Sequence, residues 1–550
     1  MQTSQKTLII GGVAGGMAAA TRLRRLDENA EIVVFEAGPY VSFANCGLPY
    51  YVGGVITDRD KLISHSPETF NDRFQIDVKL HHEATAIDAA AKTVTVHDHS
   101  SGKDSTHGYD TLIIAAGATA NLPAAVASPR THTLRTIDDM DRIHAILDEP
   151  GTSSVVIVGG GFIGLEAAEN IRHRGFATTV IQRGAQVFPT LDPEMVAPLA
   201  AELAEHGVTI HTGTQVRSVD NDIVTLIDGT RIQADLIIDS TGVAPSVTVA
   251  ASAGLRIGES GGVWVDVRHR TTDPSIYAVG DVAEKTDLIS GTATLVALAG
   301  LANRHGRAVA DAIAGTAEDT VPALGTSIIG VFGVTAASTG WTETRLVASG
   351  RPHRVIHVHP ASHATYYPGG SPLAIKLLVD PATDLILGAQ VVGRDGVDKR
   401  IDVLAVAISA GITASQLKNL ELAYAPQYAS AKDPVNIAGY VAENTASGLV
   451  PTVQWHEVDA LAEAGATILD VRTAAEFERG QIPGAINVPL DEIRDRVAEI
   501  PPGNVIVHCQ VGQRGNTATR ILTQSGHSVT NLDGGYLTWA AGTTTTGRLR

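Results

Sequence analysis

Residues 6–36 read "KTLIIGGVAGGMAAATRLRRLDENAEIVVFE". An apolar run, a glycine turn, an alanine-rich helical stretch and a second apolar run make this a strand–helix–strand unit. Gly11 and Gly16 occupy the outer positions of the dinucleotide fingerprint G-x-G-x-x-G, and Val13 stands where the middle glycine belongs. The first glycine permits the tight turn, and the last lets the helix pack closely on the strand. Glu36 closes the second strand 20 residues after Gly16, where a carboxylate reaches an adenosine ribose. The unit predicts an α/β fold with a parallel sheet and a dinucleotide at its first turn.

The pattern recurs at 153–184, "SSVVIVGGGFIGLEAAENIRHRGFATTVIQRG", with Gly159, Gly161 and Gly164 in full register. The second strand now ends in Gln182-Arg183 instead of an acid. A carboxylate there repels a 2′-phosphate, whereas Arg183 can pair with one; the plainer reading is a solvated surface arginine. Two such units imply two dinucleotides, one to hold electrons and one to deliver them. "YDTLIIAAGA" (109–118) is a buried strand ending in Ala116-Gly117, and "DPSIYAVGDVAE" (273–284) is a strand entering Gly280-Asp281 and then a helix.

At 550 residues the chain calls for several cores. Its formal charge of −18 argues against broad binding to nucleic acid or anionic membranes, so any anionic ligand needs a local cluster of arginines. Two cysteines, Cys46 and Cys509, make no disulfide framework, and a reducing cytoplasm is the expected setting. The glycines of "TLIIGGVAGGMAAA" and the arginine-rich helix after it argue against a leader peptide. No stretch reaches the roughly 18 apolar residues of a membrane span.

On the two glycine turns and the G-D at 280–281, the chain resembles the flavin-dependent pyridine nucleotide–disulfide oxidoreductases. That resemblance implies FAD held by Gly11, Gly16, Glu36, Ala116, Gly117, Gly280 and Asp281, the last at the ribityl chain unless it only caps a helix. It implies NADPH or NADH held by Gly159, Gly161, Gly164, Gln182 and Arg183. The segment after 323 is similar to the family's dimerisation domain and implies a homodimer. "LVPTVQW" (449–455) reads as a short linker. "TILDVRTAAEFERGQIPGAINVPL" (467–490), "NVIVHC" (504–509) and "LDGGYLTWA" (532–540) resemble a rhodanese domain, with "GTTTTGRLR" as a frayed tail. The expected division is therefore 1–118 with 246–322 for FAD, 119–245 for NAD(P)H, 323–446 for dimerisation and 453–545 for the rhodanese. In fold class this is two Rossmann-like domains, an α+β dimerisation domain and a C-terminal α/β domain.

Cys46 lies in "VSFANCGLPYY" (41–51), just before a helix whose start, beside an oxidised flavin, is expected to favour its thiolate. Most disulfide reductases of the family carry a second cysteine five residues on; here that residue is Tyr51. Cys46 must therefore pair with an external thiol or be oxidised to a sulfenic acid. Members that reduce oxygen or peroxide place a histidine in the first glycine turn, where this chain has Ala14. "SFxNCGxPYY" and the arginine-rich first helix instead resemble the coenzyme A-disulfide reductases. This implies coenzyme A contacts from Arg22, Ser42, Phe43 and Asn45, with Arg24 and Arg25 on a solvated face. It also implies two tyrosines from the other subunit: Tyr366, with Tyr367 as its competitor, in "SHATYYPGG" (362–370), and Tyr424 in "LAYAPQYASAKDPVN" (422–436). His357, His359 and His363 read as structural residues, with no metal site.

Cys509 opens "CQVGQRG" (509–515), a loop between a buried strand and a helix whose N–H groups form an anion nest. The rhodanese resemblance implies that Cys509 carries sulfane sulfur, that Arg514 binds an anionic donor, and that Asp470 and Arg472 support the loop. The expected activity is NAD(P)H-dependent reduction of coenzyme A disulfide, persulfide or polysulfide through a Cys46–coenzyme A mixed disulfide. The alternatives are an NAD(P)H oxidase or peroxidase with a sulfenic Cys46, and a sulfur-carrying or redox-sensing protein.

Overall fold

The structure, a computed structural model, describes residues 5–316 and 319–547. Residues 1–4 and 317–318 of the expected FAD ranges, and the last three residues of the tail, lie outside the described residues. The rest of that tail is not frayed. Helix Gly535–Thr545 runs through it, and a Cβ on Gly542 would meet the Trp455 ring at 2.5 Å. By their internal packing the residues form two compact units, Met1–Ile181 with Thr214–Gly325, and Gln182–Gly213 with Thr326–Arg550. Among the described residues no helix is long and apolar enough to cross a membrane.

The first unit is built on a five-stranded parallel sheet in the order Ile276–Ala278, Thr111–Ile114, Lys6–Ile10, Glu31–Phe35, Ile76–Lys79. Alternate residues of its strands enter two separate cores. Leu8, Ile10, Val33 and Phe35 belong to one, and Ile9, Ile32 and Val34 to the other. Burial on both faces explains why these strands are continuous apolar runs and not alternating ones. Helix Ala299–Ile313 crosses helix Ala14–Leu26 at Gly306, where a Cβ would lie 2.2 Å from the Gly15 carbonyl. Arg24 departs from the expected solvated face, being 6% exposed. Its guanidinium donates to the carbonyls of Phe74, Asp27, Glu28, Ala30 and Gln75, tying the turn after the helix to the end of a neighbouring helix.

A second parallel array in this unit sets Ser154–Val158 between Ala177–Gln182 and Leu236–Asp239, with Thr131–Thr133 beyond. Antiparallel three-stranded sheets over 82–108 and 216–233 interrupt the parallel order. No glycine pattern announces them.

The second unit holds an antiparallel five-stranded sheet in the order Ser327–Val331, Val334–Gly340, Ile386–Gly393, Leu373–Val379, Arg354–Val358. Its C-terminal part is a parallel sheet in the order Thr452–Val453, Ser528–Leu532, Asn504–His508, Thr467–Asp470, Ile486–Asn487. The expected linker at 449–455 is thus partly an edge strand. Thr452 and Val453 pair with Asn531 and Leu532, and Trp455 is buried in the core with Trp539. Apolar Val453 and Trp455 are better buried than left in a mobile connection.

An ionic core runs through this unit. Lys376, fully buried, is held by Asp192 at 2.9 Å, Glu343 at 2.6 Å and Glu194. These three carboxylates are close enough to hold a metal ion, but the Lys376 ammonium occupies the space between them. Glu194 also receives His357 Nε2 at 3.0 Å, and the Asp533 carboxylate receives both His357 Nδ1 at 2.7 Å and its backbone N–H at 2.9 Å. Burial pulls the His357 pKa down, but the Asp533 and Glu194 carboxylates outweigh it and lift the group to about 9. His359 donates or accepts at Thr538 Oγ1, 2.7 Å away, and burial next to His357 pushes it down to about 3.

Candidate functional site

The two glycine turns have the backbone that the fingerprint requires. Gly11 has φ +102° and Gly159 φ +109°. A Cβ on Gly11 would meet the Ala115 carbonyl at 2.3 Å, and one on Gly159 would meet the Ser240 carbonyl at 2.4 Å. Gly16 and Gly164 are closed in the same way by the carbonyls of Gly11 and Gly159, each at 1.9 Å. Around Gly161 there is open space, with nothing within 4 Å of where its Cβ would stand. A pyrophosphate therefore fits against that turn, and the residues present suit a nucleotide at a helix N-terminus. Val13 precedes helix Ala14–Leu26 without a side-chain cap.

Glu36 follows the second strand, its two oxygens accepting from the backbone N–H groups of Gly12 at 2.7 Å and Gly38 at 2.9 Å. That fixes the carboxylate at the mouth of the turn. Ala116 and Gly117 follow the adjacent strand, Gly117 with φ +67°. Gly280-Asp281 form a 3-10 turn and not the start of a helix; the next helix begins at Ala299. Asp281 caps nothing, and its carboxylate lies 3.9 Å from Arg135. Gln182 is the last residue of its strand, and Arg183 after it is exposed, with no acidic partner among the described residues.

Cys46 sits in the 3-10 turn Asn45–Gly47, ahead of the five-residue helix Leu48–Val52, and its sulfur lies 3.9 Å from Asn45 Oδ1. Ser42 adopts a left-handed backbone at φ 52° and donates its N–H to Gly12, tying this segment to the first glycine turn. Phe43 bridges to Ile63. Although Cys46 is exposed as a residue, packing around its sulfur raises the thiol pKa, and the Glu166 carboxylate raises it further. The protein's own groups thus act against the thiolate, since a one-turn helix has little dipole to set against a neighbouring acid. Tyr51, in the position of a second cysteine, packs on His144. Arg22 is paired with Asp311 at 2.6 Å, so a phosphate there must compete with a carboxylate.

Sequence reasoning missed Tyr50 and Glu166. The Tyr50 hydroxyl donates to Glu166 Oε1 at 3.2 Å, and burial pushes Glu166 up to about 6. Its signal was present in "GGGFIGLE", where the glutamate lies two residues after the last fingerprint glycine.

In the second unit the hydroxyls of Tyr366 and Tyr424, 58 residues apart, meet at 2.8 Å. Both are exposed, at 74% and 49%. Tyr367 instead packs edge-on against His363. His363 is buried with Nδ1 near the Ala364 carbonyl.

Cys509 is fully buried at the end of strand Asn504–His508. The loop is shorter than its sequence suggested: Gly512, at φ +90°, caps helix Gln513–Gln524, so Arg514 belongs to the first helical turn. Gly535 closes the loop from the other side, since a Cβ there would lie 2.5 Å from the Cys509 carbonyl and 2.8 Å from Gly512 N. Asp470 and Arg472 form a buried bidentate pair, and Arg472 also reaches Gln510 Oε1 at 3.1 Å and the Gly480 carbonyl at 2.6 Å. The Arg514 guanidinium reaches the Cys509 sulfur and is also paired with an acid. Its two terminal nitrogens donate to the Glu476 carboxylate at 2.7 and 2.6 Å. Glu476 was the third residue missed, although "TAAE" at 473–476 is a capping box.

Residues 5–306 match the profile of pyridine nucleotide-disulphide oxidoreductases, 326–434 match that family's dimerisation domain, and 454–542 match the rhodanese-like domain. A coenzyme A disulfide reductase of Staphylococcus aureus is 35% identical over 441 residues, 80% of this chain and all of that protein. The crystal structure of a reduced Bacillus anthracis CoADR-RHD matches with a TM-score of 0.97 at 43% identity, covering 98% of each chain. A NAD-dependent persulfide reductase from A. fulgidus matches with a TM-score of 0.92 at 37% identity, covering 97% of this chain and all of that one.

Proposed function

The chain belongs to the pyridine nucleotide-disulphide oxidoreductase family, with that family's dimerisation domain and a rhodanese-like domain, and from that premise we propose an NAD(P)H-dependent coenzyme A-disulfide and persulfide reductase. The observation that carries this reading is that Cys46 is the sole thiol of the first unit, with Tyr51 where an internal partner would stand. Its disulfide partner must come from the substrate. The names of the Staphylococcus, Bacillus and A. fulgidus relatives support the substrate class.

Glu36, Gly11, Gly16, Ala116, Gly117, Gly280 and Asp281 would hold FAD; Gly159, Gly161, Gly164, Gln182 and Arg183 would hold the nicotinamide nucleotide. When bound, these groups supply the electron pair that a mixed disulfide needs for its release. The Cys46 thiolate attacks one sulfur of the substrate's S–S bond; that bond breaks, a Cys46–S–S–R bond forms and the other half leaves as a thiolate. Asn45, beside Cys46, orients the substrate sulfur with Ser42 and Phe43, while Arg22 exchanges Asp311 for a coenzyme A phosphate. Tyr366 and Tyr424, supplied by a second copy in a homodimer, donate a proton to the leaving thiolate. The boundaries of the four expected domains, and a reducing cytoplasm that keeps both thiols free, belong to the same reading. Ala14 weighs against an oxidase or peroxidase.

Steady-state turnover of wild type and Cys46→Ser with coenzyme A disulfide, an alkyl persulfide and oxygen as acceptors tests it. Wild type should prefer the sulfur acceptors, and the variant should lose them while flavin absorbance is kept. Near-normal persulfide turnover by Cys46→Ser overturns the mechanism.

A further inference from the structure

Thiosulfate and an alkyl persulfide present different charges to a sulfur-accepting cysteine. Thiosulfate is a dianion that leaves sulfite behind, whereas R–S–SH carries at most one charge at its sulfur end. The surroundings of Cys509 discriminate between them. In "CQVGQRG" the only cation is Arg514, and it is clamped fork-to-fork by Glu476. Glu476 is itself held by the backbone N–H of Thr473 at 3.0 Å and its hydroxyl at 2.9 Å, so the carboxylate cannot swing away without breaking its own helix cap. The second guanidinium near the loop, Arg472, is spent on Asp470, the Gly480 carbonyl and Gln510. His508 beneath the loop is buried, and that burial holds its imidazole uncharged, down at about 4. Arg514 and Arg472 are therefore each matched by a carboxylate, and a dianion gains no uncompensated charge from either on entering.

We propose that Glu476, by neutralising Arg514 beside the Cys509 loop, makes this rhodanese domain selective for alkyl persulfides over thiosulfate. The inference rests on the reading that Cys509 carries sulfane sulfur. In the favoured step the Cys509 thiolate attacks the terminal sulfur of R–S–SH. The S–S bond of the donor breaks with its electron pair on RS, the proton of the terminal sulfur passes to that group, and Cys509–S–S⁻ and RSH result. One S–S bond replaces another, with no net oxidation. The new terminal anion then meets the N–H groups at the start of helix Gln513–Gln524, which suffice for a single charge.

The test compares full-length wild type, Glu476→Gln and Glu476→Asp with thiosulfate and with glutathione persulfide as probes, cyanide accepting the sulfur. Wild type should favour the persulfide by about a hundredfold in kcat/KM, the scale of losing charge-assisted contacts to the donor. Glu476→Gln should raise kcat/KM for thiosulfate about tenfold through a lower KM, and Glu476→Asp should restore the wild-type ratio. A loosened loop lowers both activities, so a gain with one donor separates charge from folding. Equal use of the two donors by wild type, or a Glu476→Gln variant that changes both by the same factor, overturns the proposal. If neither donor adds a sulfur atom to Cys509 by mass spectrometry, the sulfur-carrying reading itself fails.

Discussion

Asp533→Asn removes one charge from the buried ionic core while keeping the shape of the side chain. Asparagine can still accept the backbone N–H of His357, now 2.9 Å from Asp533 Oδ2, but it cannot balance the imidazolium whose Nδ1 lies 2.7 Å away. His357 is raised from 6.5 to about 9, the pull of Asp533 and Glu194 outweighing burial. At about 1.4 kcal/mol per pH unit that gap corresponds to roughly 3 kcal/mol of stability. The figure agrees with the approximately 3–5 kcal/mol lost when one partner of a buried pair is removed. Because the folded pKa is the higher one, the contribution is complete below pH 6.5 and disappears as pH rises through 9. Urea unfolding followed by tryptophan fluorescence reads it, since Trp455 and Trp539 are both buried in the C-terminal core. With a slope of about 2 kcal/mol per molar, the variant's midpoint for that transition should fall by about 1.5 M at pH 6.5, and the gap should shrink above pH 9. Equal midpoints at pH 6.5, or a gap independent of pH, refute the reasoning.

Cys509→Ala should remove sulfur transfer and leave coenzyme A-disulfide reduction largely intact; parallel loss in both assays means the two chemistries are coupled. Arg183→Ala should raise KM for NADPH about ten- to a hundredfold and spare NADH, since a charge-assisted hydrogen bond contributes about 1.5–3 kcal/mol. Stopped-flow flavin reduction by each nucleotide checks this, and an NADH preference untouched by the mutation shows that Arg183 points to solvent. Tyr366→Phe should lower kcat for disulfide reduction about a hundredfold while Tyr367→Phe does little, and the reverse order assigns the proton donor to Tyr367.

Much of this protein is local in sequence, and that part was legible. Gly11 and Gly159 answer to a positive φ and a carbonyl one strand away, Gly16 and Gly164 to a carbonyl five residues back, and Gly161 to the open space a ligand needs, so their spacing alone announces two nucleotide-binding turns. The positions of Cys46 and of the strand–loop–helix around Cys509 were legible in the same way, although Glu166 and Glu476, which act on them, lie far along the chain. What only the tertiary structure decided was the pairing of charges distant along the chain. Arg24 and Arg22 look alike on one helix, yet one closes backbone carbonyls and the other meets Asp311, 289 residues on. Tyr366 rather than Tyr367 meets Tyr424, and Arg514 is held by Glu476 instead of standing open. Thr452 and Val453 read as linker because an edge strand of two residues has no period to detect. Hydrophobic periodicity reports which face of an element is buried. A charged side chain takes whichever partner the fold brings within about 3 Å, and nothing in the residue's own neighbourhood encodes that partner.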